Sequence, residues 1–318
     1  MRPYSSPDVM SSPRSLGSAR WRVAAHALVM ALVCGSVARA QVPPKAVSQD
    51  GTLITKDGQE IKITYFKSTV GQEAPVVILL HGKGGNRLVW KTFATDLQKA
   101  DFAVITVDLR GHGESVGGSG GSSGKKPDSA PKAREFVGMV AGDLEAVKKL
   151  LYEEHQNKQL NMNKLGIVAA DMTTPVAIAY AEIDWEKKPY DDAPTLALST
   201  PRGQDVQALA LLSPEASVPG LGTNKSLAVI RNLNRSVLIC VGSKNPADVA
   251  TSKKMHEILA PKKEGFEHIY LEQYDSKLRG TDLLGKGFKV EQHVFNFLVK
   301  HVKGYKSEWR DRKNKALD

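Results

Sequence analysis

Between residues 59 and 302 the chain alternates short apolar runs with stretches whose apolar residues recur every three or four positions. The opening stretch differs: Gln59-Glu-Ile-Lys-Ile-Thr-Tyr-Phe66 alternates polar and apolar residues, as a half-exposed strand does. With residues 51–55 and the turn Asp57-Gly58 it predicts a hairpin. Runs at 76–80, 102–107, 165–170, 206–212 and 237–241 are continuously apolar, which strands of a parallel sheet covered on both faces require. Residues 268–271 form a shorter, more polar candidate for the last strand.

Helical spacing appears at 88–100, 133–156, 174–183, 247–259 and 290–302. In the second of these, Phe136, Met139, Val140, Leu144, Val147 and Leu151 fall on one stripe. Strand–helix alternation predicts an α/β fold, a mostly parallel central sheet with an N-terminal hairpin and helices on both faces.

Three segments fall outside this rhythm. Residues 1–40 carry Arg2, Arg14, Arg20, Arg22 and Arg39 against Asp8, then an apolar run and Ala38-Arg39-Ala40. That order predicts a secretory signal peptide cut after Ala40. The apolar run is shorter than the ~20 residues that span a bilayer, so no stable membrane span is expected after cleavage. Residues 115–132 are rich in Gly and Ser and read as a flexible loop without a folded lid, so no substantial cap domain is expected. Residues 303–318 mix six basic with three acidic residues and read as a basic, solvated C-terminal tail or frayed helix. The domain is therefore expected over 41–302, in an exported protein, periplasmic or extracellular.

Composition changes this picture at one point only. The net charge of +10 suggests an acidic partner, but cleavage lowers it to +6. The acids are interleaved with the bases and no stacking aromatics cluster, so nucleic acid is not an expected partner. The remaining positive charge is expected to be spread over a solvated surface. Cys34 leaves with the signal, and Cys240 sits alone in an apolar run, as a buried structural thiol does.

The strands are followed by motifs. After 76–80 stands His81-Gly82-Lys83-Gly84-Gly85-Asn86, and after 102–107 stands Asp108-Leu-Arg-Gly-His-Gly-Glu-Ser115. After 165–168 an expected strand–turn–helix reads Ala169-Ala170-Asp171-Met172-Thr173. The succession resembles the α/β-hydrolase superfamily, in its esterase, lipase and serine-aminopeptidase-like branch. The resemblance implies a nucleophilic Ser on a sharp turn, a His base, an acid that orients it, and backbone N–H donors for the oxyanion.

Asp171 stands where that Ser belongs, and β-branched Thr173 stands where a Gly is usual. The acid position matches Asn245, with Asp248 three residues on, able to reach in or to cap the following helix. The His position matches Arg279, whose guanidinium stays protonated and cannot act as a general base. The resemblance assigns the oxyanion or ligand-binding positions to Gly82, Lys83 and Met172. His81, His112, Glu215 and Asp248 are the alternative chemistry-bearing residues near the strand ends.

Two readings stay open. In the first the chain is a pseudoenzyme, a binding or structural protein in which Asp171 and Arg279 pair, with a small anionic or carbonyl ligand as its partner. In the second it is a divergent hydrolase of ester, amide or related bonds that uses Asp171 or a rearranged site. No cofactor and no metal are expected, because no phosphate loop, haem motif or metal-ligand spacing is present.

Overall fold

The computed structural model describes residues 47–116, 131–261 and 265–313. The expected signal peptide and most of the Gly/Ser-rich loop therefore lie outside the described residues.

Strands β1 (Ser48–Ile54) and β2 (Glu60–Phe66) form the antiparallel hairpin. They lead into β3 (Val76–Leu80), α1 (Lys91–Lys99), β4 (Ala103–Asp108), α2 (Ala133–Gly138) and α3 (Leu144–Gln156). Then follow β5 (Leu165–Ala170), α4 (Thr174–Glu186), β6 (Val206–Leu212) and a two-residue ribbon, β7 (Ser217–Val218) with β8 (Leu221–Gly222). The chain closes with α5 (Asn224–Asn232), β9 (Ser236–Gly242), α6 (Pro246–Leu259), β10 (Ile269–Tyr274) and α7 (Val290–Leu298). The main sheet has eight strands in the order β1-β2-β4-β3-β5-β6-β9-β10, and every pair from β4 to β10 is parallel.

Side-chain alternation explains why the inner runs are almost wholly apolar, with Thr106 and Gln207 as exceptions. Val76, Ile78 and Leu80 pack on the face covered by Leu144, Val147, Leu151 and Val176. Val77 and Leu79 pack on the opposite face with Phe93, Leu97, Val294 and Phe297. Both faces are dry, so both phases of the period-two pattern must be apolar. Cys240 is buried on β9, and burial pushes its thiol up to about 12, in keeping with an inert structural role.

Several elements depart from the expectation. The helix expected over 133–156 is interrupted by a wide turn, Met139–Asp143. That turn coincides with Asp143 accepting from the Arg110 N–H at 2.9 Å and from its Nε at 2.8 Å. Helix α5 was not expected, since only a few buried residues such as Leu227 and Ile230 mark its inner face. The last strand runs further than 268–271, through Tyr274.

The reading of 303–318 as a solvated tail needs correction over its described part. Residues 305–313 lie against the domain: Trp309 stacks on His155 with ring centroids 5.1 Å apart, and the Ser307 carbonyl accepts from Asn161 Nδ2 at 3.0 Å. Arg312 is only 3% exposed and pairs with the buried carboxylate of Asp205. Lys148 Nζ lies 2.9 Å from the other oxygen of Asp205 and also pairs with Asp184. Burial would raise the Asp205 pKa, but Arg312 and Lys148 hold it below the ordinary carboxylate range. A buried carboxylate that needs two cations gives this segment a docking point that no hydrophobic pattern announces.

Candidate functional site

The carboxyl end of β5 places the elbow. Asp171 follows the last strand residue with φ of 48°, in the left-handed region that a non-glycine residue enters only under constraint. Helix α4 begins three residues later with Pro175 in its first turn, where the missing N–H costs nothing. Thr173 fits the tight turn because its hydroxyl bonds back to Ala170: it donates to the carbonyl at 2.9 Å and accepts from the N–H at 3.1 Å. Thr174 Oγ1 donates to the Asp171 carbonyl at 2.7 Å and accepts from the Glu215 N–H at 3.1 Å. The turn is thus held by hydroxyls where the resembled family uses glycine.

The Asp171 carboxylate lies between two glycines. A Cβ on Gly82 or on Gly280 would overlap it, and Gly280 also has φ of 50°. Its Oδ1 is buried with no hydrogen-bond partner. Burial pushes the Asp171 pKa up from 3.8 to about 6; Arg279 opposes the rise, Glu215 and Asp248 add to it, and the Lys83 backbone N–H favours the charged form.

The charge of Arg279 acts on Asp171, but the guanidinium pairs with other carboxylates. Arg279 Nε lies 2.7 Å from Asp248 Oδ2, and its Nη2 lies 3.8 Å from Glu215 Oε1. The Nε–H points away from the line to Asp248, so the contact is a close charge pair rather than an aligned hydrogen bond. The expected Asp171–Arg279 pair is therefore corrected: the nearer carboxylates take the guanidinium, and Asp171 feels only its field.

The capping expectation for Asp248 is corrected too. Asn245 caps α6 by accepting from the Asp248 N–H at 3.4 Å, and its Nδ2 donates to Asp248 Oδ2 at 2.8 Å. Asn245 thus aims Asp248 at Arg279, so the acid of this site sits one helical turn beyond the triad-equivalent position.

The two histidines hold loops. The Leu109 N–H meets His81 Nε2 at 3.4 Å, and Nδ1 lies 2.9 Å from the Gly82 carbonyl. With one nitrogen accepting and the other donating, His81 is neutral, and burial pushes its pKa down to about 4. His112 Nδ1 lies 3.0 Å from the Arg110 carbonyl, and its ring is 5.0 Å from that of His81. Neither contacts Asp171. Ser213 escaped the sequence reading: with φ of 48° at the end of β6, its Oγ accepts from the Gly280 N–H at 2.9 Å. Its only signal was its place before Pro214 at the end of an apolar run.

Beside Lys83 and Met172, the loops after β3 and β4 enclose a cleft of about 700 Å³, with Asn86, Leu88, His112 and Glu135 on its walls. Asp171, Glu215 and Asp248 outnumber Arg279 three to one at the elbow itself. That balance disfavours an anionic ligand there, and it leaves a neutral carbonyl or hydroxyl group as the better fit. Among the described residues no group of three or more His, Cys, Asp or Glu could hold a metal ion.

The family model for the α/β-hydrolase fold matches residues 75–186. This match and the eight-stranded sheet give the chain an α/β-hydrolase fold. Among solved structures it is similar to the esterase Pf2001 of Pyrococcus furiosus, with 15% identity over 81% of this chain and 91% of that one and a TM-score of 0.55. It is also similar to an esterase of Rhizomucor miehei, at 16% identity, 83% and 86% coverage and a TM-score of 0.53. A stretch of 54 residues, 17% of this chain, is 44% identical to protein phosphatase methylesterase 1 of Bos taurus. The chain spans only 14% of that relative's length. Among the described residues no helix is long and apolar enough to cross a membrane.

Proposed function

We propose that this chain is an exported α/β-hydrolase-fold protein that has lost Ser-His-Asp hydrolysis and acts as a non-catalytic binding or structural protein. The observation that carries this reading is the exchange at the elbow: a carboxylate stands in place of the nucleophile, beside the Lys83 N–H that an oxyanion would need. Among the described residues no histidine is hydrogen-bonded to Asp171. Arg279 cannot take a proton, and His81 is buried with both ring nitrogens engaged. The natural ligand is a small neutral carbonyl or hydroxyl compound seated between the elbow and the 700 Å³ cleft. Export rests on residues 1–40, and a secreted product whose mass begins at Gln41 is the expected result.

A second reading has one observation in its favour. A carboxyl with a pKa of about 6 exchanges protons near neutral pH, as a general acid or base does. Incubating the processed protein with p-nitrophenyl acetate and butyrate between pH 5 and 8, beside Asp171→Ala, separates the two. The expected result is background hydrolysis in both; turnover that disappears in the variant overturns the non-catalytic reading.

A further inference from the structure

We propose that a second cleft, along the flank of α3, is a binding site for a small polyanion bearing two or more phosphate, sulfate or carboxylate groups. It encloses about 570 Å³ and shares no lining residue with the elbow. Six cations line it, Lys56, Lys148, Lys149, Lys187, Arg202 and Arg312, against the single carboxylate of Glu145.

The internal partners of these cations are fixed. Lys148 and Arg312 answer the buried Asp184 and Asp205, and Lys187 Nζ lies 2.6 Å from Glu145. Among the described residues Lys56, Lys149 and Arg202 have no carboxylate within 4 Å, and they carry a surplus of three positive charges into a concave surface. Concave walls of low dielectric focus that field, which a flat surface in water would dissipate. Arg202 is held over the Tyr190 ring with its guanidinium 5.0 Å from the centroid, so it is positioned before a ligand arrives.

Arg312 supplies the second, independent observation. It is 97% buried, and its Nε–H is a buried donor with no acceptor among the described residues. An orphaned donor on a buried charged group costs free energy, so the wall of the cleft that Arg312 lines holds an unsatisfied polar group. The positive charge of this chain is thus not spread evenly, as its sequence suggested, but partly gathered in one cavity.

The test is calorimetric titration of the full processed protein with tripolyphosphate at low ionic strength, where charges across the cleft are weakly screened. Saturable one-to-one binding is expected. The double variant Lys149→Ala with Arg202→Ala should weaken it at least about tenfold, since each lost contact is a charged hydrogen bond. A charge-matched control, Lys253→Ala with Lys254→Ala on the exposed side of α6, should leave it unchanged. A parallel arm uses vesicles containing cardiolipin: retention lost in the cleft variant alone supports the site and assigns the phosphates to a lipid headgroup. Absence of saturable binding in both arms, or equal weakening by the control pair, overturns the proposal.

Discussion

The Asp171 carboxyl offers a direct measure of how the substituted elbow is held. Its pKa of about 6, against an ordinary 3.8, means that the folded protein prefers the protonated group. The preference corresponds to about 3 kcal/mol, reduced to roughly 2 kcal/mol where solvent reaches the half-buried side chain. The folded state holds its proton more tightly than the unfolded chain. Stability contributed by this group is therefore present below about pH 4, falls as pH rises towards about 6, and stays lost above it.

Asp171→Asn removes the charge and keeps the shape, so it mimics the protonated carboxyl at every pH. At pH 8 the variant should be more stable than the parent by about 2 kcal/mol, seen as a melting temperature roughly 4 °C higher for a domain of this size. At pH 4 the two should melt together. Calorimetry of both proteins across pH 4–8 gives the difference curve, which should level off above the folded-state pKa of about 6. A variant that melts at or below the parent at pH 8, or a difference that ignores pH, refutes the burial argument. An Asp171 in a tight ion pair would have given the opposite sign, because removing its charge would then destabilise.

Two further substitutions probe the neighbouring contacts. Gly280→Ala should cost at least about 2 kcal/mol, from the left-handed backbone and from the overlap of its Cβ with the Asp171 carboxylate. Urea unfolding of a double-mutant cycle with Asp171→Gly should recover more than about 1 kcal/mol, and additivity within ~0.5 kcal/mol would show that the two groups do not touch. Arg312→Met should cost about 3–5 kcal/mol, because Asp205 is left buried with one cation instead of two. An unchanged urea midpoint would mean that residues 305–313 are not part of the cooperative fold.

Much of the fold was legible because burial on two faces leaves an unmistakable mark. The strand runs from Val76 to Val241 needed no context to be recognised, whereas α5 leans on a few apolar residues and β10 on half-exposed ones. The elbow was legible for a different reason: motif order placed Asp171, and the strained φ is what that place demands. Pairing was not legible. Asn245, Asp248 and Glu215 all lie in loops or first turns, and which of them meets Arg279 depends on side-chain reach over a few ångströms. The docked C-terminal segment was hidden likewise, since its anchor is a charge among charges and carries no periodicity.

The replaced positions also constrain one another. Asn245 aims Asp248, Asp248 pairs with Arg279, and burial keeps the Asp171 pKa raised against the opposing field of Arg279. Returning Ser to position 171 would supply a hydroxyl but no base: the guanidinium is permanently protonated, and the neighbouring carboxylates are committed to it. Returning His to position 279 would instead release Asp248 and Glu215, whose charges would push the Asp171 pKa further up. Each reversal alone leaves the site without one part of the chemistry, and it also removes a charge that the others rely on. The elbow is therefore a self-consistent electrostatic unit, and on the proposed non-catalytic reading no single reversal would restore the Ser-His route.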